Sequence, residues 1–238
     1  MNDEIETIVI EYRFTLADGS QEVFYFRLDT KKLELLMDTS GVLPSWTELS
    51  FHQCPHCPLS VTTHPHCPLA ANLVSIVTRL DRLISYDTIH LDVITEERTF
   101  SHDATVQTGI SSLMGLVIAT SGCPHTAFFK PMARFHLPLA SAEETIYRAA
   151  SMYVLAQYFA KKAGQEAELD IQGLREIYQN IRIVNKNITE RLRDASTTDS
   201  LKNAVVVLDM YAFAFTDVVQ ENLGKLDYLF TPFINKTS

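Results

Sequence analysis

Ile8-Val-Ile-Glu-Tyr-Arg-Phe-Thr-Leu-Ala-Asp-Gly-Ser-Gln-Glu-Val-Phe-Tyr-Phe-Arg-Leu28 is the stretch from which the fold can be read. Ile8, Ile10, Tyr12, Phe14 and Leu16 share one side, and Val9, Glu11, Arg13 and Thr15 the other. That is the period of two expected of a strand with one buried face. The alternation stops at Ala17-Asp-Gly-Ser20 and resumes with Phe24, Phe26 and Leu28. Asp-Gly between two alternating runs predicts an antiparallel hairpin. A third short strand is expected through Leu33-Glu-Leu-Leu-Met37.

Further along, the period lengthens. Leu69, Leu73, Ile76, Val77, Leu80 and Ile84 predict one helical face, and Ile89, Leu91 and Val93 another strand. A second helix is expected from Asp103 to Ser121, stopped by Gly122. After Pro138 the pattern is wholly helical. Ser141-Ala-Glu-Glu144 reads as a capping box opening a helix to Ala163. Leu174, Ile177, Ile181, Val184, Ile188 and Leu192 form the stripe of a second helix, and a last one should run from Leu201 to about Phe230.

The expected class is therefore α+β. An N-terminal β-hairpin and small antiparallel sheet, with helices and a cysteine-rich loop, occupies residues 1–138, and an antiparallel helical portion residues 139–238. The two are either separate or one continuous domain. The last helix is apolar on more than one side, with Tyr211, Phe213 and Phe215 adding aromatic area. This breadth predicts a homodimer contact, or a monomer if the two preceding helices cover it.

Composition narrows the function. The chain of 238 residues has a formal net charge of −9 and no lysine/arginine run, which argues against nucleic acid as a partner. No apolar run reaches the length of a membrane span. The acidic start, Met1-Asn-Asp-Glu-Ile-Glu, is unlike a secretory signal. The expected location is a reducing, bacterial-type cytoplasm, where cysteines serve as metal ligands or redox groups before they serve as disulfides.

Each of the four cysteines is followed by proline: Cys54-Pro55, Cys57-Pro58, Cys67-Pro68 and Cys123-Pro124. Proline fixes φ and removes an N–H, so each sulfur sits on a stiff backbone. The spacing Cys-x2-Cys-x9-Cys-x55-Cys supplies the thiolates that Zn2+ or a 4Fe–4S cluster needs. Cys54, Cys57, Cys67 and Cys123 are the predicted metal ligands, with zinc ahead of iron–sulfur because no redox-partner motif is visible. His52, His56, His64, His66 and His125 lie close enough in sequence to replace a thiolate or orient one. The bland alternative is a set of inert buried thiols.

Cys54-Pro-His-Cys57 resembles half of a rubredoxin or zinc-ribbon knuckle, although Pro58 stands where glycine usually follows. The same tetrapeptide resembles the active site of DsbA-type thiol oxidoreductases, which implies disulfide exchange. In that fold a helix continues past the second cysteine, whereas here Pro58 interrupts it.

Other chemistry-bearing residues are Lys130, Arg134 and His136, readable as a small anion pocket or as a loop in which Arg134 pairs with Glu143 or Glu144. Asp103, Gln107, Ser111 and Ser112 read as a solvated helix side or a pocket lining. Hydrolase, dinucleotide, phosphate-loop and deaminase motifs are absent.

Taken together, Leu43-Pro-Ser-Trp-Thr-Glu-Leu49, Cys54-Pro-His-Cys-Pro-Leu59, His66-Cys-Pro-Leu69, Ser121-Gly-Cys-Pro124 and Arg134-Phe-His-Leu-Pro138 resemble an uncharacterised bacterial family known as a domain of unknown function. The resemblance runs to about Tyr158 and implies no activity, substrate or ligand. The residues themselves predict a cytoplasmic protein whose cysteine-bound metal serves a structural, sensory or interaction role. The alternative is a thiol–disulfide oxidoreductase or a metal-dependent enzyme.

Overall fold

A computed structural model describes residues 6–36, 41–168, 170–217 and 223–234, with residues 214–217 by backbone alone. The hairpin forms as read: β1 (Thr7–Thr15) pairs antiparallel with β2 (Gln21–Asp29) in the register Tyr12↔Phe24. At its tip Gly19 N–H donates to Leu16 O and Leu16 N–H to Ser20 O, both at 2.9 Å. Gly19 takes the left-handed conformation, φ 81°, that closes a three-residue hairpin loop.

β3 (Thr88–Ile94) adds to the other edge of β1, and β4 (Thr99–Thr105) to β3, giving a four-stranded antiparallel sheet in the order β2-β1-β3-β4. Ile10, Tyr12, Phe14, Phe24, Phe26, Leu28, Ile89, Leu91 and Val93 are buried. Their alternate neighbours Val9 and Tyr25 are exposed, so one face of the sheet is covered.

The covering layer is helical. α1 (Pro68–Leu80) and α2 (Val106–Thr120) supply Leu69, Leu73, Ile76, Ile110, Leu113 and Val117 to the same core. Gly109 lets α2 lie close on the sheet: a Cβ there would sit 2.8 Å from Ile89 Cδ1 and 3.0 Å from Phe14 Cε1. A short α3 (Lys130–Arg134) leads to α4 (Ala142–Lys162), whose capping box is present as expected. α5 (Gln172–Ala195) and α6 (Ser200–Asp217) complete the described helical layer. Val184, Ile188 and Leu192 of α5 and Ala204 and Val205 of α6 join the core that rests on the sheet. The fold is α+β. Among the described residues no helix is long and apolar enough to cross a membrane.

Several boundaries differ from expectation. The helix expected from Asp103 starts at Val106, because Thr99–Thr105 is the edge strand β4. The third strand at Leu33 is a single bridge, Leu35↔Leu28, and Met37 lies outside the described residues. Ile84 is 61% exposed rather than part of the helix face, since α1 ends at Leu80. The last helix is not continuous to Phe230, where a separate 3-10 turn runs over Asp227–Phe230. Met210 and Phe213 on α6 are exposed, while the side chain of Phe215 lies outside the described residues.

Candidate metal centre

The long loop before α1 is closed at its base by backbone pairing. Leu49 N–H donates to Pro65 O and Cys67 N–H to Thr47 O, both at 2.8 Å. Inside it, Cys57 N–H donates to Cys54 O at 3.0 Å, making a tight turn with Pro55 at its first corner. After α2, Gly122 takes φ 84° and the chain makes a second such turn, with Thr126 N–H donating to Cys123 O at 3.1 Å. Cys67 is the N-cap of α1, with Pro68 as the first helical residue. Three of the four prolines thus have a local use: Pro55 and Pro124 occupy turn corners and Pro68 a helix start, where the missing N–H costs nothing.

These pieces bring the four cysteines to the wall of one cavity. Cys54, Cys57, Cys67 and Cys123 all line a single cavity of about 20 Å3, closed by Leu49, Leu59, Leu69, Val184 and Ile188 together with His125 and Arg191. All four are free thiols. Burial, followed by the neighbouring cysteines, pushes the Cys54 thiol up to about 12. Burial likewise raises Cys123, to about 11. The thiols ring the cavity without forming a finished coordination shell: among the described residues no three His, Cys, Asp or Glu side chains are grouped to hold a metal ion.

Arg191 is the buried cation beside the sulfurs. Its Nη1 donates to the carbonyls of Trp46 (2.7 Å) and Glu48 (2.8 Å), and Nη2 to that of Leu49 (3.2 Å). Burial lowers its pKa, and the potential of Cys67, Cys54 and Cys57 opposes that. Sequence reading passed over it, although Val184, Ile188 and Arg191 follow each other at helical spacing on the stripe of α5.

The histidines divide. His56 Nε2 lies 3.2 Å from Asn180 O, so this nitrogen carries the proton, and Nδ1 is left as a buried acceptor without a partner among the described residues. A ring whose outer nitrogen donates to a carbonyl while the other lone pair is free is prepared for metal ligation. His125 Nε2 donates to His56 O at 2.9 Å. Thr47 Oγ1 donates to Pro44 O, so it accepts from His66 Nδ1–H at 2.8 Å, which makes His66 a tether of the loop base. His52 meets Asp194 at 3.1 Å, and His64 meets its neighbour Thr63. The tripeptide Cys-Pro-His occurs at both 54–56 and 123–125, a signal that would have picked out the His56–His125 pair.

Lys130, Arg134 and His136 do not converge. Lys130 pairs with Glu34 at 2.7 Å, and Arg134 lies over the Phe135 ring at 5.4 Å rather than against Glu143 or Glu144. His136 bonds Tyr12 Oη in the wall of a second, larger cavity. Ser112 lines that cavity too, 3.0 Å from Tyr12 Oη, so the pocket reading holds for Ser111 and Ser112. Asp103 instead faces His90 across the strand edge at 2.6 Å.

Fold and site together define an α+β protein with four cysteines around one small cavity. A family model described as "Domain of unknown function (DUF6901)" matches residues 10–231, and the chain belongs to that family. Comparisons with curated proteins and with solved structures give no match.

Proposed function

We propose that Cys54, Cys57, Cys67 and Cys123 bind one metal ion, which clasps the loop before α1, the start of α1 and the turn after α2 to one another. The observation that carries this reading is the shared cavity, lined by all four cysteines although Cys123 is remote in sequence. Its volume supports zinc over a 4Fe–4S cluster. About 20 Å3 is room for one water-sized body, which a single ion fills and a cubane exceeds. His125, in the wall of the same cavity, is the histidine placed to assist the thiolates. Arg191 supplies positive charge that favours the thiolate forms. A structural ion contributes its binding free energy to folding, so the centre serves as a staple of the fold.

Disulfide exchange is less well supported. A nucleophilic cysteine needs a depressed pKa and exposure, whereas burial raises Cys54. The all-antiparallel sheet is also not the scaffold in which that chemistry is usually set.

Metal analysis of freshly purified full-length protein is the test. One zinc per chain, colourless, and lost from the Cys57→Ser variant is the expected result. A brown protein with broad visible absorption would replace zinc by iron. Protein free of metal that neither takes up Zn2+ nor changes its thermal stability with it would end the proposal.

A further inference from the structure

The larger cavity, about 350 Å3, is walled by α2, α3, α4, α5, α6 and the segment after α3, and takes from α5 a different set of residues than the cysteine cavity does. Its size falls within the range of about 300–1,000 Å3 found for small-molecule sites. Leu116, Ile118, Ile181, Leu208 and Ala212 make most of the wall apolar. Polar side chains, Ser112, His136, Arg148 and Asn185 among them, are set into this wall, and an apolar wall with placed polar groups is the usual make-up of a ligand site.

Arg148 is the charged group of this wall. Its Nη2 donates to the carbonyls of Met132 and Phe135, each at 2.9 Å, which fixes the guanidinium without neutralising it. Among the described residues no carboxylate lies within ion-pair distance of Arg148. Glu144, one turn earlier on α4, has its carboxylate engaged by Ser141 N–H in the capping box at 2.8 Å. Burial lowers the Arg148 pKa, as expected of a cation partly removed from water. Cations so placed are normally paired.

His136 does not compete for an anion. Burial, then the nearby Arg148 charge, holds it down to about 3, so it is neutral. Leu139 N–H donates to Ser112 Oγ at 3.1 Å, and Ser112, Tyr12 and His136 continue as a hydrogen-bonded chain. This fixed neutral array leaves one positive charge in an apolar chamber.

We propose that this cavity binds a monocarboxylate with a medium-length hydrocarbon chain, its carboxylate on Arg148 and its hydrocarbon among Leu116, Ile181 and Leu208. A guanidinium fork matches a carboxylate in charge and geometry. A dianionic phosphate would need a second cation, and no other Arg or Lys lines the chamber among the described residues. The proposal does not rest on the cysteine centre, so either reading can fail alone.

Calorimetric titration of the full-length protein with sodium decanoate below its micelle concentration, and in parallel with decanol, tests it. Decanoate should bind at least tenfold more tightly than decanol. Arg148→Gln should remove that preference and leave decanol binding unchanged. Gly115→Leu should abolish binding of both. Gly115 lines the cavity, and a Cβ there meets nothing closer than Leu208 Cδ2 at 3.8 Å, so the variant plugs the chamber and still folds. Absence of binding by either probe, equal affinity for both, or undiminished decanoate binding in Arg148→Gln would each overturn the proposal.

Discussion

The imidazole rings of His56 and His125 stack face to face, with centroids 3.8 Å apart and planes 9° from parallel. Each follows a Cys-Pro pair, so the stack locks one cysteine turn onto the other. His125 adds a bond to the backbone of His56, and His56 one to α5 through Asn180 O. Two rings, one from each turn, thus hold Cys54 and Cys123 at a common cavity before any ligand is considered.

Removing that lock should cost more than removing an exposed histidine. His56→Ala is expected to lose about 1–3 kcal/mol of stability, from one hydrogen bond plus the ring contact. His64→Ala, which loses a bond to its own neighbour, should stay within about 0.5 kcal/mol. Chemical denaturation of the two variants beside the parent checks the order.

Metal uptake should release protons. Burial holds Cys54 and Cys123 at about 12 and 11, so both are protonated at neutral pH and must lose their protons to bind Zn2+. Zinc affinity should therefore fall as pH falls, since protons compete for the same sulfurs. Titration calorimetry in buffers of different ionisation enthalpy should count at least two protons released per ion, on the order of one per buried thiol. Chelator treatment should lower the melting temperature of the parent and leave that of Cys57→Ser unchanged.

Arg191 should tolerate no apolar replacement. Arg191→Met leaves the carbonyls of Trp46, Glu48 and Leu49 without their buried donor, and an expected loss of about 3 kcal/mol or more follows. Arg191→Lys, which keeps the charge and part of the donation, should recover some of it. Urea unfolding curves for the pair give the comparison.

Acid stability should depend on Asp81. Burial would raise its pKa, but hydrogen bonds from the backbone and hydroxyls of Thr197 and Thr198 outweigh it and leave the carboxyl below its ordinary value. A depressed folded pKa stabilises fully above the unfolded value, about 3.9, and the contribution is lost as pH falls through the folded one. Asp81→Asn should lower stability at pH 7 by about 1 kcal/mol. The difference from the parent should vanish towards pH 2. Thermal melts across that range decide it.

The hairpin was legible because Tyr12, Phe14, Phe24 and Phe26 are all buried on one face while Glu11, Arg13, Tyr25 and Arg27 alternate with them, and Gly19 sits where the turn needs it. β4 was not. Thr-Phe-Ser-His-Asp-Ala-Thr is an edge strand with little burial on either side, so it shows no alternation and merges into the helical period of α2. The cysteines could be chosen from spacing and proline alone. Arg191 and Arg148 could not be linked to their cavities from sequence. A charged residue near an apolar stripe looks like its solvated border until the carbonyls and cavity walls around it are seen.

α5 contributes to the walls of both cavities. Val184, Ile188 and Arg191 face the cysteines, and Ile181 and Asn185, on the same two turns, face the apolar chamber. Any coupling between occupants of the two cavities through this shared wall is reciprocal. Whatever factor a filled thiol cavity applies to the affinity of the larger chamber, the chamber's occupant must apply the same factor in return. A measured coupling in one direction would therefore fix the other without a second experiment.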